Sequence, residues 1–196
     1  MLSFKQFLSE MPQDIGPSTS NLDNDRFNQI MYDHISTNHR PIGKIDGLAV
    51  MHNKKGNETK LSVLDHGRKK VSFSTTFKRN PKSKQIPFPH HTQTYVGKHS
   101  EAPLKKGFVS NFIYNHLVHG KDEPLVSDEQ QYAGGHKLWH HLINQSFKEG
   151  HHAYLHDDGK LTKITPENKE EIMNSSYGKG EEFKKKRYVI SKNSLD

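Results

Sequence analysis

Apolar residues recur at steps of three and four positions in three stretches of the chain. This spacing predicts helices over residues 24–37 and 107–118, and a third helix that follows Asp128 and ends near residue 148. Asn24 and its acidic neighbours Asp23 and Asp25 are suitable N-cap residues for the first helix. The apolar positions that define this first helix are Phe27, Ile30, Met31 and Ile35.

Alternating apolar and polar residues between the helical stretches predict strands. The predicted strands are 45–52, the region around 61–63, 71–77, 91–97, 124–127, 152–156, 160–164 and 187–191. Glycine-containing segments at 54–57, 66–68 and 157–159 are typical of hairpin turns. A loop rich in proline and lysine over 78–90 is expected to be mobile, and Thr165-Pro166 predicts the N-cap and first turn of a short helix.

The order of these elements predicts an α+β fold with a central, mainly antiparallel twisted sheet flanked by helices. Residues 24–196 are expected to form this domain. Before it, residues 1–10 carry an amphipathic pattern (Phe4, Phe7, Leu8), and residues 11–23 are rich in the proline, glycine and serine typical of a linker.

Composition narrows the range of partners. The chain has 29 basic and 22 acidic residues, a net charge of +7, which favours binding to nucleic acid, phosphorylated cofactors or acidic surfaces. It contains no cysteine, which excludes disulfides, thiolate nucleophiles and cysteine-ligated zinc. Apolar runs are too short for a membrane span, and the N-terminus lacks the apolar core of a signal peptide, so no membrane partner is expected.

A basic turn opens the second predicted helix. Lys105, Lys106 and Gly107 are followed by Phe108, Val109 and Ser110 at the start of the helical pattern. The first amides of a helix lack intrahelical acceptors, and the helix dipole is positive at this end, so phosphate groups bind well there. Residues 105–110 are therefore a candidate site for a phosphate or diphosphate.

The stretch from the basic turn to Trp139 resembles the GCN5-related N-acetyltransferase superfamily, in a degenerate, phage-encoded form. The resemblance depends on the basic turn, on the following strand with Ser127-Asp128, and on the pairs Gly134-Gly135 and Leu138-Trp139. The resemblance covers roughly residues 44–192. It implies an acetyltransferase-like fold that binds acetyl-CoA, with the diphosphate held by the amides and lysines of residues 105–110. It also implies acyl transfer to an amine of a host or phage molecule.

Acyl transfer to an amine needs a base for the amine and an acid for the departing thiolate. In the family a tyrosine on the second helix often supplies the acid, but Trp139 occupies that position here, and an indole N–H is not a useful acid. Glu129 and Tyr132 near the start of that helix, and His91 on the strand before the basic turn, are the candidate catalytic residues. Gln93 lies on the same strand as His91.

The N-terminal peptide resembles the capsid-targeting peptide of internal head proteins of large tailed bacteriophages. In those proteins a prohead protease cuts after a Leu/Ile-x-Glu signal, and Leu8-Ser9-Glu10 matches this signal. The resemblance implies cleavage after Glu10 and a location inside the virion, or else in the host cytoplasm. The alternative is that the N-terminal helix docks on its own domain.

The sequence also offers candidates for a metal site and for a nucleic-acid site. His136 and His140 share a helix face at the spacing that can chelate zinc, but no third ligand is identifiable, so no metal site is expected. Basic runs at 68–70, 78–84 and 184–187 have two interpretations: an ordinary solvated face, or charge that binds DNA without sequence specificity. The alternative function is therefore a catalytically inactive, basic internal head or host-defence-countering protein that binds DNA or a host protein.

Overall fold

The computed structural model describes residues 21–120, 122–128, 133–177 and 185–195. The N-terminal peptide 1–10 and most of the predicted linker lie outside these residues. The helices are α1 (Asp25–Asn38), α2 (Phe108–Ile113), α3 (Ala133–Lys148) and α4 (Lys169–Ser175). A 3-10 turn, Asn21–Asp23, precedes α1, and α2 continues directly into a π-helical segment, Tyr114–His119.

Nine strands form a sheet with the order β1-β2-β3-β4-β5-β6-β9-β7-β8. β5 and β6 run parallel, whereas β1–β2, β6–β9, β7–β9 and β7–β8 are antiparallel. The predicted α+β class and mainly antiparallel sheet are therefore confirmed. The strands are β1 (Arg40–Ile45), β2 (Leu48–Lys55), β3 (Glu58–Asp65), β4 (Lys70–Asn80), β5 (His90–Lys98), β6 (Leu125–Val126), β7 (His152–Asp157), β8 (Lys160–Ile164) and β9 (Lys186–Ser191).

The chain divides into two compact units, of which the first takes described residues 21–53, 60–75 and 96–104. Its core joins one face of α1 to apolar residues of β2, β3 and β4. The buried members are Leu22, Phe27, Ile35, Ala49, Met51, Leu64 and Val71. Asn28 fixes this packing because its amide donates to the carbonyls of Leu22 and Val71 and accepts from the Val71 amide, so its buried polar atoms are satisfied.

The second unit takes residues 54–59, 76–95 and the described residues from 105 onward. On one face of its strands, Ile86 packs with Val126, Tyr154 and Val189. Ile86 is 3% exposed, so the proline- and lysine-rich loop is pinned to the sheet by an apolar anchor. Tyr188 points to the opposite face, because neighbouring residues on a strand alternate, and there it contacts Trp139 of α3.

Most predicted elements are present, with two local corrections. A single strand over 45–52 is wrong, because Asp46 and Gly47 both adopt positive φ and form a turn between β1 and β2. Thr165 is not the N-cap of α4, because the helix begins three residues later than predicted, with Asn168 at the N-cap. The N-cap of α1 is confirmed, since the Asn24 side chain accepts from the Phe27 amide at 2.9 Å.

Candidate functional site

The basic turn lies at the surface of the second unit. Lys105, Lys106 and Gly107 are all exposed, and Gly107 is the N-cap of α2 with a φ of 81°. The Phe108 amide donates to the Lys105 carbonyl and closes the turn. Because glycine adopts this left-handed conformation without steric cost, the turn brings the chain sharply into the helix.

Some polar groups in the first turn of α2 form hydrogen bonds with each other. The Ser110 hydroxyl donates to the Gly107 carbonyl at 3.0 Å, and the Asn111 amide donates to the same carbonyl. The Val109 and Ser110 amides belong to the first turn, whose N–H groups have no acceptor within a helix. The predicted cofactor-binding residues 105–110 are therefore contiguous at one helix end, with two exposed ammonium groups before it.

The two parallel strands separate after a short pairing. His91 pairs with Leu125 and Thr92 pairs with Val126, and β5 then continues to Lys98 without β6 beside it. Gln93 is the first residue after the pairing, and its side-chain Oε1 is buried with no hydrogen-bond partner among the described residues. In α/β proteins the space beyond the carboxyl ends of parallel strands is a common binding crevice.

His91 lies at the other end of the paired strands, in a closed ionic network. Its Nε2 atom is 3.2 Å from a Glu123 carboxylate oxygen, and Arg79 Nε donates to both oxygens of that carboxylate at 2.9 and 3.0 Å. The hydrogen bond and charge of Arg79 lower the pKa of Glu123. The His91 side chain is only 11% exposed, so the network covers most of the ring.

The helical segment 108–119 separates His91 from the basic turn. Its last residue, His119, accepts from Lys192 Nζ at 2.6 Å, just after β9 ends. Ile190 of β9 pairs with Leu125, which in turn pairs with His91. The six α-helical residues alone span about 9 Å and the π-helical residues add to this length, so the turn and His91 lie at opposite ends of the segment. The structure does not bring these two predicted site residues together.

The other two predicted catalytic residues, Glu129 and Tyr132, lie outside the described residues. Trp139, which stands where the family has a tyrosine, is 2% exposed and lies 5.9 Å from the Tyr188 ring. Burial raises the pKa of Tyr188 to about 12, and its hydroxyl is 2.7 Å from the Ser176 hydroxyl. These contacts make Trp139 and Tyr188 part of the core that supports the start of α3.

Among the described residues, no group of three or more histidine and acidic side chains is arranged to hold a metal ion. His136 and His140, the pair with zinc-like spacing, lie edge to face with ring centroids 4.8 Å apart. His136 makes a more specific contact through Nε2, which is 3.2 Å from the Met173 carbonyl. The sequence does not reveal this contact, because Met173 is 37 residues away.

The basic runs are divided between paired and exposed side chains. Lys70 pairs with Asp25 at 2.9 Å, and Arg79 is held by Glu123. Lys82 and Lys84 are exposed on the loop before β5. Lys184 is outside the described residues. The loop before β5 therefore offers two exposed lysines that are suited to contact with a polyanion.

No helix among the described residues is long and apolar enough to cross a membrane. Comparisons with protein-family models, with curated proteins and with solved structures found no match to this chain.

Proposed function

We propose that this chain is an acyl-CoA-dependent N-acyltransferase that transfers an acyl group to an amine of a host or phage molecule. The basic turn would hold the CoA diphosphate, with Lys105 and Lys106 supplying charge and the Val109 and Ser110 amides supplying hydrogen bonds. The observation that carries the proposal is the exposed turn with a left-handed Gly107 at the start of the helical segment that links β5 to β6.

Two further features support a cofactor at this place. β6 pairs with β5 only as far as Thr92, so the backbone of Gln93, the next residue, is not paired with β6. Gln93 presents a buried oxygen at this point, and an unsatisfied buried acceptor is costly unless a partner occupies it. Binding would have to uncover that oxygen before an amide N–H of an acyl-CoA could donate to it.

Thermal unfolding with CoA tests the proposal. A ligand selective for the folded state at 100 times its Kd adds about 2.7 kcal/mol to the free energy of unfolding. CoA and acetyl-CoA should therefore raise Tm, whereas pantetheine, which lacks the diphosphate, should raise it much less. An unchanged Tm in millimolar CoA would contradict the proposal.

Two charge-reversal variants, one at the basic turn and one elsewhere, test whether CoA binds at the turn. The double variant Lys105→Glu/Lys106→Glu should weaken CoA binding by about tenfold or more, because two favourable charges become repulsive. Lys54→Glu/Lys55→Glu is the matched control, since it reverses two adjacent exposed lysines at the end of β2. Equal loss of affinity in both variants would indicate a general charge effect and not a site at the turn.

The alternative is a catalytically inactive internal head or host-defence-countering protein that binds DNA or a host protein. The exposed Lys82 and Lys84 on one pinned loop favour this alternative. It predicts retention on DNA that weakens steeply with salt, because bound phosphates release counterions. Salt-sensitive DNA binding without a Tm change in CoA would select this function.

Packaging in the capsid is a separate proposal from the sequence Leu8-Ser9-Glu10. Cleavage by a prohead protease would leave Met11 as the first residue of the protein in mature particles. N-terminal sequencing of virion-derived protein decides between this outcome and an intact Met1, which would contradict cleavage.

A further inference from the structure

His136 is held by contacts from several parts of the second unit. Its ring stacks on Tyr177 with centroids 4.3 Å apart, lies edge to face against His140, and is 6.2 Å from Tyr188. Its Nε2 atom lies 3.2 Å from the Met173 carbonyl oxygen. The ring is partly exposed, so it is fixed in place and still reaches solvent.

The hydrogen bond with Met173 sets the tautomer of the ring. A carbonyl oxygen can only accept, so Nε2 of His136 must carry the proton that it donates. In the neutral ring the proton is then absent from Nδ1, which becomes the acceptor. A general base needs this arrangement, in which one ring nitrogen holds the histidine in place and the other nitrogen is able to accept a proton.

His136 also lies at the proposed cofactor's end of the parallel strands. It packs beside Tyr188, whose amide donates to the Ser127 hydroxyl directly after β6 ends. The basic turn lies toward the same end, because the helical segment 108–119 separates it from His91. Besides His140, Tyr177 and Tyr188, the charged group of α4 that acts on His136 is Glu170.

We propose that His136 is the catalytic base that takes the proton from the acceptor amine, which rests on the proposed acyltransferase function. Nδ1 accepts a proton from the substrate ammonium, and the neutral amine attacks the thioester carbonyl carbon. The new C–N bond forms as the C–S bond breaks. The attacking nitrogen gives up its second proton to solvent, and the CoA thiolate leaves with the proton held by the His136 imidazolium.

The test uses His136→Gln, whose side-chain amide can still donate to the Met173 carbonyl but cannot act as a base. Release of CoA thiol from acetyl-CoA is measured with spermidine and lysine amide as acceptors, alongside the Tm change in CoA. The variant should lose turnover by about 100-fold or more and keep the Tm change. His141→Gln, an exposed histidine of the same helix, is the matched control and should keep turnover.

Two further outcomes separate the inference from the proposed function. Turnover at the wild-type rate in His136→Gln would overturn the role of His136 alone. A wild-type protein that binds CoA but releases no thiol with either amine would count against acyl transfer itself and, with it, against the role of His136. No Tm change with CoA in the wild-type protein would overturn the proposed function and, with it, this inference. Imidazole should restore turnover to His136→Ala, and a failure of rescue counts against the base.

Discussion

The two ends of the β5–β6 pair differ in how their polar groups are satisfied. At the amino end, His91, Glu123 and Arg79 bind one another, and His90 is buried with Nδ1 3.0 Å from the Phe88 carbonyl. At the carboxyl end, Lys105 and Lys106 are exposed, and His136 uses one ring nitrogen for orientation.

The side chains at the amino end have protein partners, and these contacts stabilise the fold. At the carboxyl end the two lysines are exposed and His136 is partly exposed. We therefore expect substitutions at the amino end to lower stability, and those at the carboxyl end to lower binding and turnover.

The largest expected effect is a loss of folding stability in mild acid, caused by histidines whose pKa is lowered by burial. Burial lowers the pKa of six described histidines: His34, His39, His90, His140, His151 and His156. For His39 the pKa falls from 6.5 to about 4, mainly through burial and then through His34, Lys60 and His52. Such a group stabilises the fold above pH 6.5, and this contribution is lost as the pH falls toward the folded-state pKa.

Denaturant unfolding at pH 6.5 and pH 5 measures this effect. His39 alone should remove about 2 kcal/mol from the free energy of unfolding over this interval, because each pKa unit corresponds to about 1.4 kcal/mol. Carboxylates titrate mostly below this interval, so the histidines dominate it. His39→Gln should show a smaller decrease than the wild type, and a wild-type stability that is flat over the interval would contradict the assignment.

Breaking the amino-end network predicts a smaller effect. Glu123→Ala leaves the Arg79 and His91 side chains without their shared carboxylate, and it should lower Tm by about 2 °C because the network is partly exposed. Asp122→Ala is the matched control, since that neighbouring side chain is 97% exposed. The Tm change in CoA should be the same in both variants, and its loss in Glu123→Ala would link the two ends.

Two glycine substitutions predict effects that are similarly small, with opposite signs. Gly107→Ala should destabilise the fold by about 1 kcal/mol, because φ at this position is 81°. Gly135→Ala, inside α3 with nothing within 4 Å of the added Cβ, should stabilise it by about 0.5 kcal/mol. Chemical denaturation of both variants measures this difference, and stabilisation by both substitutions would show that the turn is not strained.

The elements that depend on local periodicity could be predicted from the sequence. The N-cap at Asn24, the helix of the basic turn and the turn at 157–159 each depend on residues a few positions apart. β1 was missed because Pro41 and Gly43 interrupt its alternation and its first five residues are exposed. The burial of Ile86 was also missed, because its partners lie on β6, β7 and β9.

The site was predicted only as far as its local pattern extends. Residues 105–110 are consecutive and form a turn and a helix start, so the sequence alone is sufficient to predict a diphosphate site there. Sequence order places His91 shortly before the turn, but the chain passes through a helical segment before β6 returns beside β5. His136 was noted only for zinc-like spacing, since its orientation depends on a carbonyl in α4.

The central claim is that the amides after Gly107 bind a diphosphate. Backbone amide chemical shifts of the full-length, 15N-labelled protein, recorded during a titration with CoA, test it most directly. The account predicts that the largest changes are at Val109 and Ser110 and that they are much smaller with pantetheine. Changes confined to residues 78–85, or none at the start of α2, would contradict it.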